Sequence, residues 1–408
     1  MNKTRLRKYA KLIARVGVNV QKGQEVMVQA ELDQPEFVKM VVEECYRAGA
    51  SKVSVDWSYQ PLTKLNVKYC SAKVLGNMEA WQLAKWENQV EKLPCKIYLI
   101  SEDPDGLAGI DQAKYAKAMA ARSKLIKPIR ARMDNKYQWC IAAVPGKEWA
   151  KKIFPGERTS VAVEKLWEAI LDTSRVYEDP VEEWRLHNED LAKRCEYLNS
   201  LGIRKLVYKA SNGTDLTVGL IPEGIFMGGG ENALGSGIYF NPNIPSEEVF
   251  TSPKKGEADG VVYSSRPLAY AGVLIENFMI RFENGKAVEV KAEKNEDALR
   301  ELIAMDENAG YLGECALVPY SSPIRESGLL FYNTLFDENA ACHLALGRGF
   351  TNLLKDYESM TEQERHDKGI NDSIVHEDFM IGTEDMSITA ITEDGKEVAI
   401  FRNGNWAF

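Results

Sequence analysis

The stretch EVMVQAELDQPEFVKMVVEECYRAGASKVSVDW, residues 25–57, has the pattern of a strand, a helix and a second strand. The strands are EVMVQA and KVSVDW, and the helix between them is PEFVKMVVEECYRAG. A helical connection of this kind joins parallel strands, and its helix covers a face of the sheet. The stretch therefore predicts an α/β domain built on a parallel sheet.

The same alternation extends over the first part of the chain. A helix is predicted over residues 3–16, and the segments KIYLIS (96–101) and QWCIAAVPG (138–146) are strand-like, with helices between them. These elements predict a Rossmann-like N-terminal domain. The loop AELDQPEF has neither the glycine fingerprint nor the lysine of a phosphate-binding loop, so we expect a scaffold or a lid rather than a nucleotide site.

The pattern changes beyond a long charged helix that is predicted from Pro180 to Leu201 and ends at Gly202. The segments SNGTDLTV and FENGKAVEV then place Asn-Gly between strand-like runs, which is typical of hairpins. We therefore predict two domains, residues 1–180 and 181–408, the second being a mixed, largely antiparallel α+β domain. His187 lies among charged residues on the long helix and is predicted to be solvated.

Composition excludes several classes of function. The 408 residues carry a formal net charge of −9, which gives no reason to expect nucleic acid or an anionic membrane as a partner. No apolar run approaches the length that spans a bilayer. The seven cysteines are scattered without a CxxC pair, which indicates reduced thiols in a cytoplasmic protein. The basic N-terminus has no acid before Glu25; we favour a folded amphipathic helix over a mitochondrial presequence.

The segment NDSIVHEDFMIG (371–382) contains one of only four histidines in the chain. It has the pattern of a short strand, so His376 and Asp378 point to the same face, about 7 Å apart along the strand. Two ligands of one metal ion, or of two neighbouring ions, would suit this spacing. A buried hydrogen bond between the imidazole and the carboxylate is the alternative.

Three other segments supply acids and a second histidine. NPNIPSEEVFTSP (241–253) places Glu247 and Glu248 among prolines that forbid a long helix. GYLGECALVPY (310–320) places Glu314 in an apolar strand, where a lone carboxylate is costly unless it is paired or bound to a metal. LFDENAACHLALGRG (335–349) supplies Glu338 and His343, which would diverge on one helix, so Glu338 must lie at a helix start or before it. Oxygen and imidazole ligands without a thiolate suit two ions of Zn, Co or Mn.

The segments NPNIPSEEVFTSP, LGECALVP, NAACHLALGRG and SIVHEDFMIG together resemble the signature segments of the aminopeptidase T, aminopeptidase S and PepS family of metallo-aminopeptidases. The order and spacing match, and the similarity covers nearly the whole chain. The resemblance implies a cytoplasmic homodimer that acts on peptides and holds a dinuclear metal site in its second domain. The implied metal ligands are Glu248, Glu314, Glu338, His343, His376 and Asp378.

The resemblance also implies a mechanism in which a hydroxide that bridges two metal ions attacks the scissile carbonyl and releases the N-terminal residue. We expect Glu314 to bridge both ions, and on chemical grounds we choose Glu247 as the proton shuttle. The family usually has a tyrosine seven residues after the histidine that matches His343, but this chain has Phe350. The alternatives are another dimetal hydrolase, such as an amidase or phosphoesterase, and a non-catalytic nucleotide-binding scaffold.

Overall fold

The computed structural model describes residues 2–408. A π-helical turn at Ile13–Gly17 continues the first α-helix, and short 3-10 helices occur at Glu338–Ala340, Thr351–Leu353 and Tyr357–Ser359. The α-helices are α1 (Lys3–Leu12), α2 (Pro35–Ala48), α3 (Gln60–Tyr69), α4 (Ala72–Gly76), α5 (Ala80–Lys92), α6 (Gln112–Ala131), α7 (Lys147–Ile153), α8 (Thr159–Thr173), α9 (Pro180–Ser200), α10 (Glu296–Ile303), α11 (Pro323–Glu326), α12 (Thr334–Asp337) and α13 (Glu362–Asp367).

The strands form a five-stranded parallel sheet, two antiparallel sheets of five and nine strands, and a two-stranded ribbon. They are β1 (Glu25–Glu31), β2 (Lys52–Ser58), β3 (Cys95–Ile100), β4 (Trp139–Ala143), β5 (Ile203–Lys209), β6 (Asp215–Leu220), β7 (Met227–Gly228), β8 (Glu231–Asn232), β9 (Tyr239–Phe240), β10 (Asn243–Ile244), β11 (Val249–Thr251), β12 (Pro253–Tyr263), β13 (Leu268–Tyr270), β14 (Val273–Glu283), β15 (Lys286–Lys294), β16 (Leu312–Leu317), β17 (His343–Gly347), β18 (His376–Met380), β19 (Ser387–Thr392), β20 (Glu397–Arg402) and β21 (Asn405–Trp406).

The described chain forms two compact units. The first contains the residues up to Arg185 together with Gly230–Ile244, and the second contains Leu186–Gly229 and Pro245–Phe408. The segment Gly230–Ile244 therefore belongs to the first unit, although it follows residue 180 in the chain. The division into domains 1–180 and 181–408 stays a prediction.

The first unit contains the parallel sheet, with strand order β10-β4-β3-β1-β2. The strand–helix–strand prediction for residues 25–57 is confirmed. Pro35 begins α2, where a missing N–H costs nothing, and Gly49 ends it with φ of 114°, a conformation that favours glycine. The helix predicted over residues 3–16 is α-helical only to Leu12, because the last turn is a π turn.

The second unit contains a nine-stranded sheet and a five-stranded sheet, and neighbouring strands in both are antiparallel. Both predicted hairpins are present, as β5–β6 and β14–β15. Asn284 and Gly285 have φ of 50° and 79°, as a two-residue type I′ turn requires. The prediction of a mixed α/β chain with parallel and antiparallel sheets is thereby confirmed.

The structure also tests the long charged helix and the predicted absence of a membrane span. The helix predicted from Pro180 to Leu201 is present as α9, and Gly202 follows it with φ of 61°. Among residues 2–408 no helix is both long enough and apolar enough to cross a bilayer.

Candidate metal centre

The five-stranded sheet of the second unit has one apolar and one charged face. Its strands are arranged in the order β18-β17-β16-β11-β7, and each strand is antiparallel to the strand beside it. Side chains alternate along a strand, so each strand contributes to both faces. The apolar face belongs to the hydrophobic core of the unit and includes Val249, Cys315, Leu317, Leu344, Leu346 and Phe379. The opposite face carries the acids and histidines that the sequence singled out.

A row of three residues across the sheet sets the spacing of this charged face. Asp378 pairs with Ala345, and Ala345 pairs with Glu314. The register of β16 shifts between Leu312 and Glu314, so Gly313 forms a bulge that directs Glu314 to the charged face. A Cβ at Gly313 would lie 2.3 Å from the Arg348 carbonyl oxygen, which leaves glycine as the residue that fits. Because Ala345 is small, space remains between the two carboxylates.

The charged side chains form two groups that share Glu314. Glu248, Glu314 and His343 can each direct a ligand atom to one point, as can Glu314, His376 and Asp378, with all ligand atoms in each group within 4.8 Å of one another. The shortest contacts are His343 Nε2 to Glu248 Oε2, 3.1 Å, and His376 Nε2 to Glu314 Oε2, 3.2 Å.

Both imidazoles are oriented by backbone carbonyl groups. His343 Nδ1 lies 3.1 Å from the Ala341 oxygen, and His376 Nδ1 lies 2.6 Å from the Arg348 oxygen. A carbonyl oxygen only accepts hydrogen bonds, so each Nδ1 carries the proton and donates it. In the neutral ring Nε2 then presents a lone pair to the carboxylates, which is the tautomer that a metal requires.

In the described part of the chain, one carboxylate of the site, that of Asp378, lacks the hydrogen bond that normally accompanies burial. Asp378 Oδ1 is buried without a hydrogen bond among the described residues, and its distance to His376 Nε2 is 3.5 Å. Glu338 begins the 3-10 helix that follows α12, and its Oε1 accepts a hydrogen bond of 3.3 Å from Asn339 Nδ2. A buried acceptor without a partner is costly, and a cation beside Asp378 would remove that cost.

Burial and crowding shift the acidity of these groups. Burial raises the pKa of Glu314 to about 7, with repulsion from Asp378 and Glu248 adding to the effect. Burial also raises the pKa of Glu338 well above its ordinary value, and Asp378 contributes repulsion. Burial opposes protonation of His343, but its hydrogen bond to Glu248 prevails and raises its pKa to about 9.

Asp378 behaves differently from the two glutamates. Burial alone would raise the pKa of Asp378, but attraction to His376 lowers it below the ordinary value. The same attraction raises the pKa of His376 well above the ordinary value, against the effect of burial. Without metal, protons on the histidines and glutamates therefore offset the charge of the crowded carboxylates.

Glu247, which precedes Glu248, is held by contacts of its own. Its N–H donates to Asn339 Oδ1 at 2.7 Å, and its Oε2 lies 3.9 Å from His187 Nε2. The side chain of His187 is only 10% exposed, and its Nε2 lies 2.7 Å from the Ser246 oxygen. The prediction that His187 is solvated is therefore wrong, because this position of α9 faces the segment that carries Glu247.

The sequence did not identify the buried amides that position the site. Asn339 accepts from the Glu247 N–H, and its Nδ2 donates to the Leu335 oxygen and to Glu338. Asn371 donates through Nδ2 to the Gly347 oxygen at 2.6 Å, beside the end of β17. Both asparagines occur inside the quoted segments, but an asparagine in a loop is ordinary, so only their burial separates them from turn residues.

Similarity to known proteins agrees with this geometry. A family model described as thermophilic metalloprotease (M29) matches residues 2–406. Aminopeptidase AmpS of Bacillus subtilis (strain 168) is 43% identical over 99% of this chain and 98% of its own length. Aminopeptidase PepS of Streptococcus thermophilus is 40% identical, and aminopeptidase T of Thermus thermophilus is 39% identical, each over 99% of this chain and 98% of its own length.

Two solved structures share the fold. Wild-type AmpT from Thermus thermophilus superposes with a TM-score of 0.91 at 38% identity, and the match covers all of both chains. A 2,5-dihydroxypyridine dioxygenase from Pseudomonas putida KT2440 gives a TM-score of 0.51 at 13% identity over 99% of this chain and 96% of its own, which is a likeness of fold alone. Since the family model and the relatives align over almost the whole length of the chain, the chain belongs to the thermophilic metalloprotease (M29) family.

Proposed function

We propose that this metal-dependent aminopeptidase removes the N-terminal residue of peptides at a centre for two divalent ions. One observation carries the proposal: Glu314 belongs to both groups that can hold a metal. A carboxylate shared in this way suits two ions about 3.5–4 Å apart. The proposed ligands are Glu248, Glu314, Glu338, His343, His376 and Asp378.

Charge and ligand type support the same assignment. Four of the six ligands are carboxylates and two are neutral imidazoles, so two divalent ions would balance the four negative charges. The buried Oδ1 of Asp378 would gain a partner. Oxygen and nitrogen ligands without a thiolate suit Zn²⁺, Co²⁺ or Mn²⁺, which are the ions we propose.

Each residue then has a defined task. When bound, the two ions would supply a bridging hydroxide as nucleophile and stabilise the negative charge that develops on the scissile carbonyl. The backbone carbonyls of Ala341 and Arg348 keep both histidines in the ligating tautomer. We assign to Glu247 the transfer of a proton from water to the leaving amine; its neighbour His187 would hold it in place.

The reaction class has a direct test. Purified protein, reconstituted with each metal in turn, should hydrolyse an aminoacyl-anilide and leave a phosphoester unchanged. Metal analysis of active protein should approach two ions per chain. Phosphoester hydrolysis without anilide hydrolysis would assign the centre to another class of dimetal hydrolase, and active protein without bound metal would refute the centre itself.

Metal should stabilise the protein more strongly as the pH rises from about 5 to about 8.5. Because the pKa of Glu314 is raised from 4.5 to about 7, its protonated form stabilises the metal-free fold. This contribution is fully present below pH 4.5 and is lost as the pH rises through about 7. The contribution of His343 is likewise present below 6.5 and is lost as the pH rises through about 9. Metal also competes better when fewer protons occupy its ligands.

The measurement is the difference in melting temperature between metal-loaded and metal-free protein across this pH range. The expected change corresponds to a few kcal/mol, since each unit of pKa shift is worth about 1.4 kcal/mol. Asp378, whose pKa is lowered, contributes mainly at acidic pH and does not alter the direction. A difference that stays constant or shrinks as the pH rises would contradict the assignment of these residues as ligands.

We propose a homodimer that admits short peptides and excludes folded proteins. Large apolar side chains are exposed on α3 and α4, including Leu62, Leu65, Tyr69 and Val74, and such a surface is typical of a subunit contact. Sedimentation at micromolar concentration should give a dimer, and the enzyme should cleave short peptides but not a folded protein with a free N-terminus. A fully active monomer would overturn this proposal.

We further propose that the first unit is a Rossmann-like scaffold and that the protein acts in the cytoplasm. The parallel sheet with helical connections supports the first statement. The seven free cysteines, six of them buried, are consistent with the second. Fractionation of cells that express a tagged chain tests the location.

A further inference from the structure

The parallel sheet of the first unit has one face that is polar, which is unusual. Strands of a parallel sheet that is covered on both sides are normally apolar throughout. Here β1 and β3 alternate: Val26, Val28 and Ala30 are at most 2% exposed, whereas Met27 and Gln29 on the other face are not buried. The same alternation is present in the sequence, in EVMVQA and KIYLIS.

The strand register collects the polar side chains into two adjacent rows. Gln29 pairs with Asp56 on one side and with Tyr98 on the other, and Met27 pairs with Lys96. Instead of a packed core, this face borders a cavity of about 220 Å³. Residues of α5 and α6 complete its wall, among them Trp81, Lys85, Trp86 and Arg122.

Lys96 is the most unusual residue of this cavity. It is only 5% exposed, and its ammonium group lies 5.1 Å from the ring centre of Trp86, 4.5 Å from that of Tyr137 and 3.9 Å from Met133 Sδ. Within residues 2–408 neither Lys96 nor Arg122 has an ion-pair partner, whereas Lys85 is paired with Asp56 at 2.5 Å. Burial, assisted by repulsion from Arg130 and partly opposed by attraction to Asp134, lowers the pKa of Lys96 to about 8. Aromatic rings compensate only part of the cost of burying an ammonium group.

We propose that this cavity binds a small aromatic carboxylate, with the carboxylate against Lys96 and Arg122 and the ring against the tryptophans. Two cationic side chains that form no ion pair of their own among the described residues favour an anion as the ligand. The side chain of Trp81, although 67% exposed, lines the cavity and offers a flat apolar surface that a planar ring would cover. Pockets for drug-sized ligands measure about 300–1,000 Å³, so a cavity of 220 Å³ suits a single ring rather than a nucleotide.

The probe is benzoate, titrated calorimetrically into the full-length protein. Cyclohexanecarboxylate tests whether the ring must be aromatic, inorganic phosphate tests whether any anion suffices, and benzylamine tests the sign of the charge. Benzoate should bind saturably and more tightly than all three. These comparisons use the wild-type protein and therefore do not depend on any variant.

Lys96→Met tests the contact that carries the proposal. The substitution keeps the volume of the chain but removes the charge, so we expect a folded protein whose affinity for benzoate falls about tenfold or more. Lys165→Met is the matched control, because Lys165 also lies over an aromatic ring, that of Phe154, but outside the cavity. Its affinity for benzoate should equal that of the wild type.

Several outcomes would overturn the proposal. The first is that benzoate does not bind saturably at millimolar concentration. The second is that phosphate or benzylamine binds as tightly as benzoate. The third is that Lys96→Met and Lys165→Met lose the same affinity for benzoate. A change of oligomeric state in Lys96→Met without any ligand binding would show that the polar face is a subunit contact instead.

Discussion

Glu314→Gln should reduce kcat/KM on an aminoacyl-anilide by about 10³-fold or more and lower the metal content, while the chain remains folded. Polarisation of a carbonyl by bound metal is worth several kcal/mol, and a loss of about 4 kcal/mol corresponds to 10³ in rate. Glutamine has nearly the same shape as glutamate but is a much poorer metal ligand. Because Glu314 belongs to both groups, its replacement should affect both ions rather than one.

The stability of the variant separates a metal ligand from a structural residue. In the metal-free state the carboxylate of Glu314 is buried and its pKa is raised to about 7, so its charge is unfavourable above that pH. A neutral amide removes this cost. Metal-free Glu314→Gln should therefore melt at or above the temperature of metal-free wild type near pH 8, and its melting temperature should respond little to added metal.

Glu377→Gln is the matched control for this experiment. Glu377 is also a largely buried glutamate, and burial raises its pKa to about 8, but it lies between His376 and Asp378 in the strand and so points to the other face. Its replacement should leave metal content unchanged and activity within a few-fold of wild type. Wild-type turnover by Glu314→Gln, or equal losses in both variants, would rule out the shared-ligand assignment.

Glu247→Gln completes the series of carboxylate variants. A proton shuttle contributes about 10²- to 10⁴-fold to the rate without holding the metal. This variant should therefore lose kcat and retain both ions, which distinguishes it from Glu314→Gln. If it keeps wild-type kcat, Glu247 serves only to anchor His187 and the backbone near Asn339.

Phe350→Tyr should raise kcat on a simple aminoacyl substrate by up to about 10²-fold and change KM less. The ring centre of Phe350 lies 4.8 Å from that of His376, so a phenol at this position would be next to the proposed ligands. Removing one hydrogen-bond donor to a developing oxyanion costs an enzyme about 2.7–4 kcal/mol of transition-state stabilisation. A contact made mainly in the transition state appears in kcat.

If the chemistry has a different donor, Tyr239, Tyr311 and Tyr320 are the tyrosines that another segment could supply. The Tyr320 hydroxyl accepts a hydrogen bond of 2.8 Å from Arg325, and the ring of Tyr311 lies under Lys255. The control is Phe250→Tyr, because Phe250 packs edge-on against Phe350 with ring centres 5.9 Å apart. It adds a phenol near the site without placing it beside His376. A kcat of Phe350→Tyr at or below wild type, with unchanged metal content, would rule out a missing donor.

Local patterns predicted the elements of this fold well. The alternation over residues 25–57 and the Asn-Gly turns specify backbone conformation directly, because few turn geometries join such strands. Longer-range features did not follow from them. Gly230–Ile244 lies in the first unit, where the two-residue strand β10 pairs with β4. A strand of two residues is too short to leave a periodic pattern in the sequence.

The candidate site was predicted from residue types, but its geometry was not. His376 and Asp378 were expected on one face of a strand, and both lie on β18. Glu338 was expected at a helix start or before it, and it begins a 3-10 helix, whereas His343 begins β17, so the two residues share no helix. The bulge at Gly313 depends on pairing with β17, which sequence spacing does not encode.

The two-faced sheet also determines when metal can enter. Its apolar face is part of the core, so hydrophobic burial can gather the six side chains before any ion arrives. A small zinc-binding domain, by contrast, folds only with its metal. Folding would then be uncoupled from loading, and the ion that occupies the proposed site would be set by which metals the cell supplies and how fast they exchange. We therefore expect the same polypeptide to be isolated with different ions from cells grown on different metals.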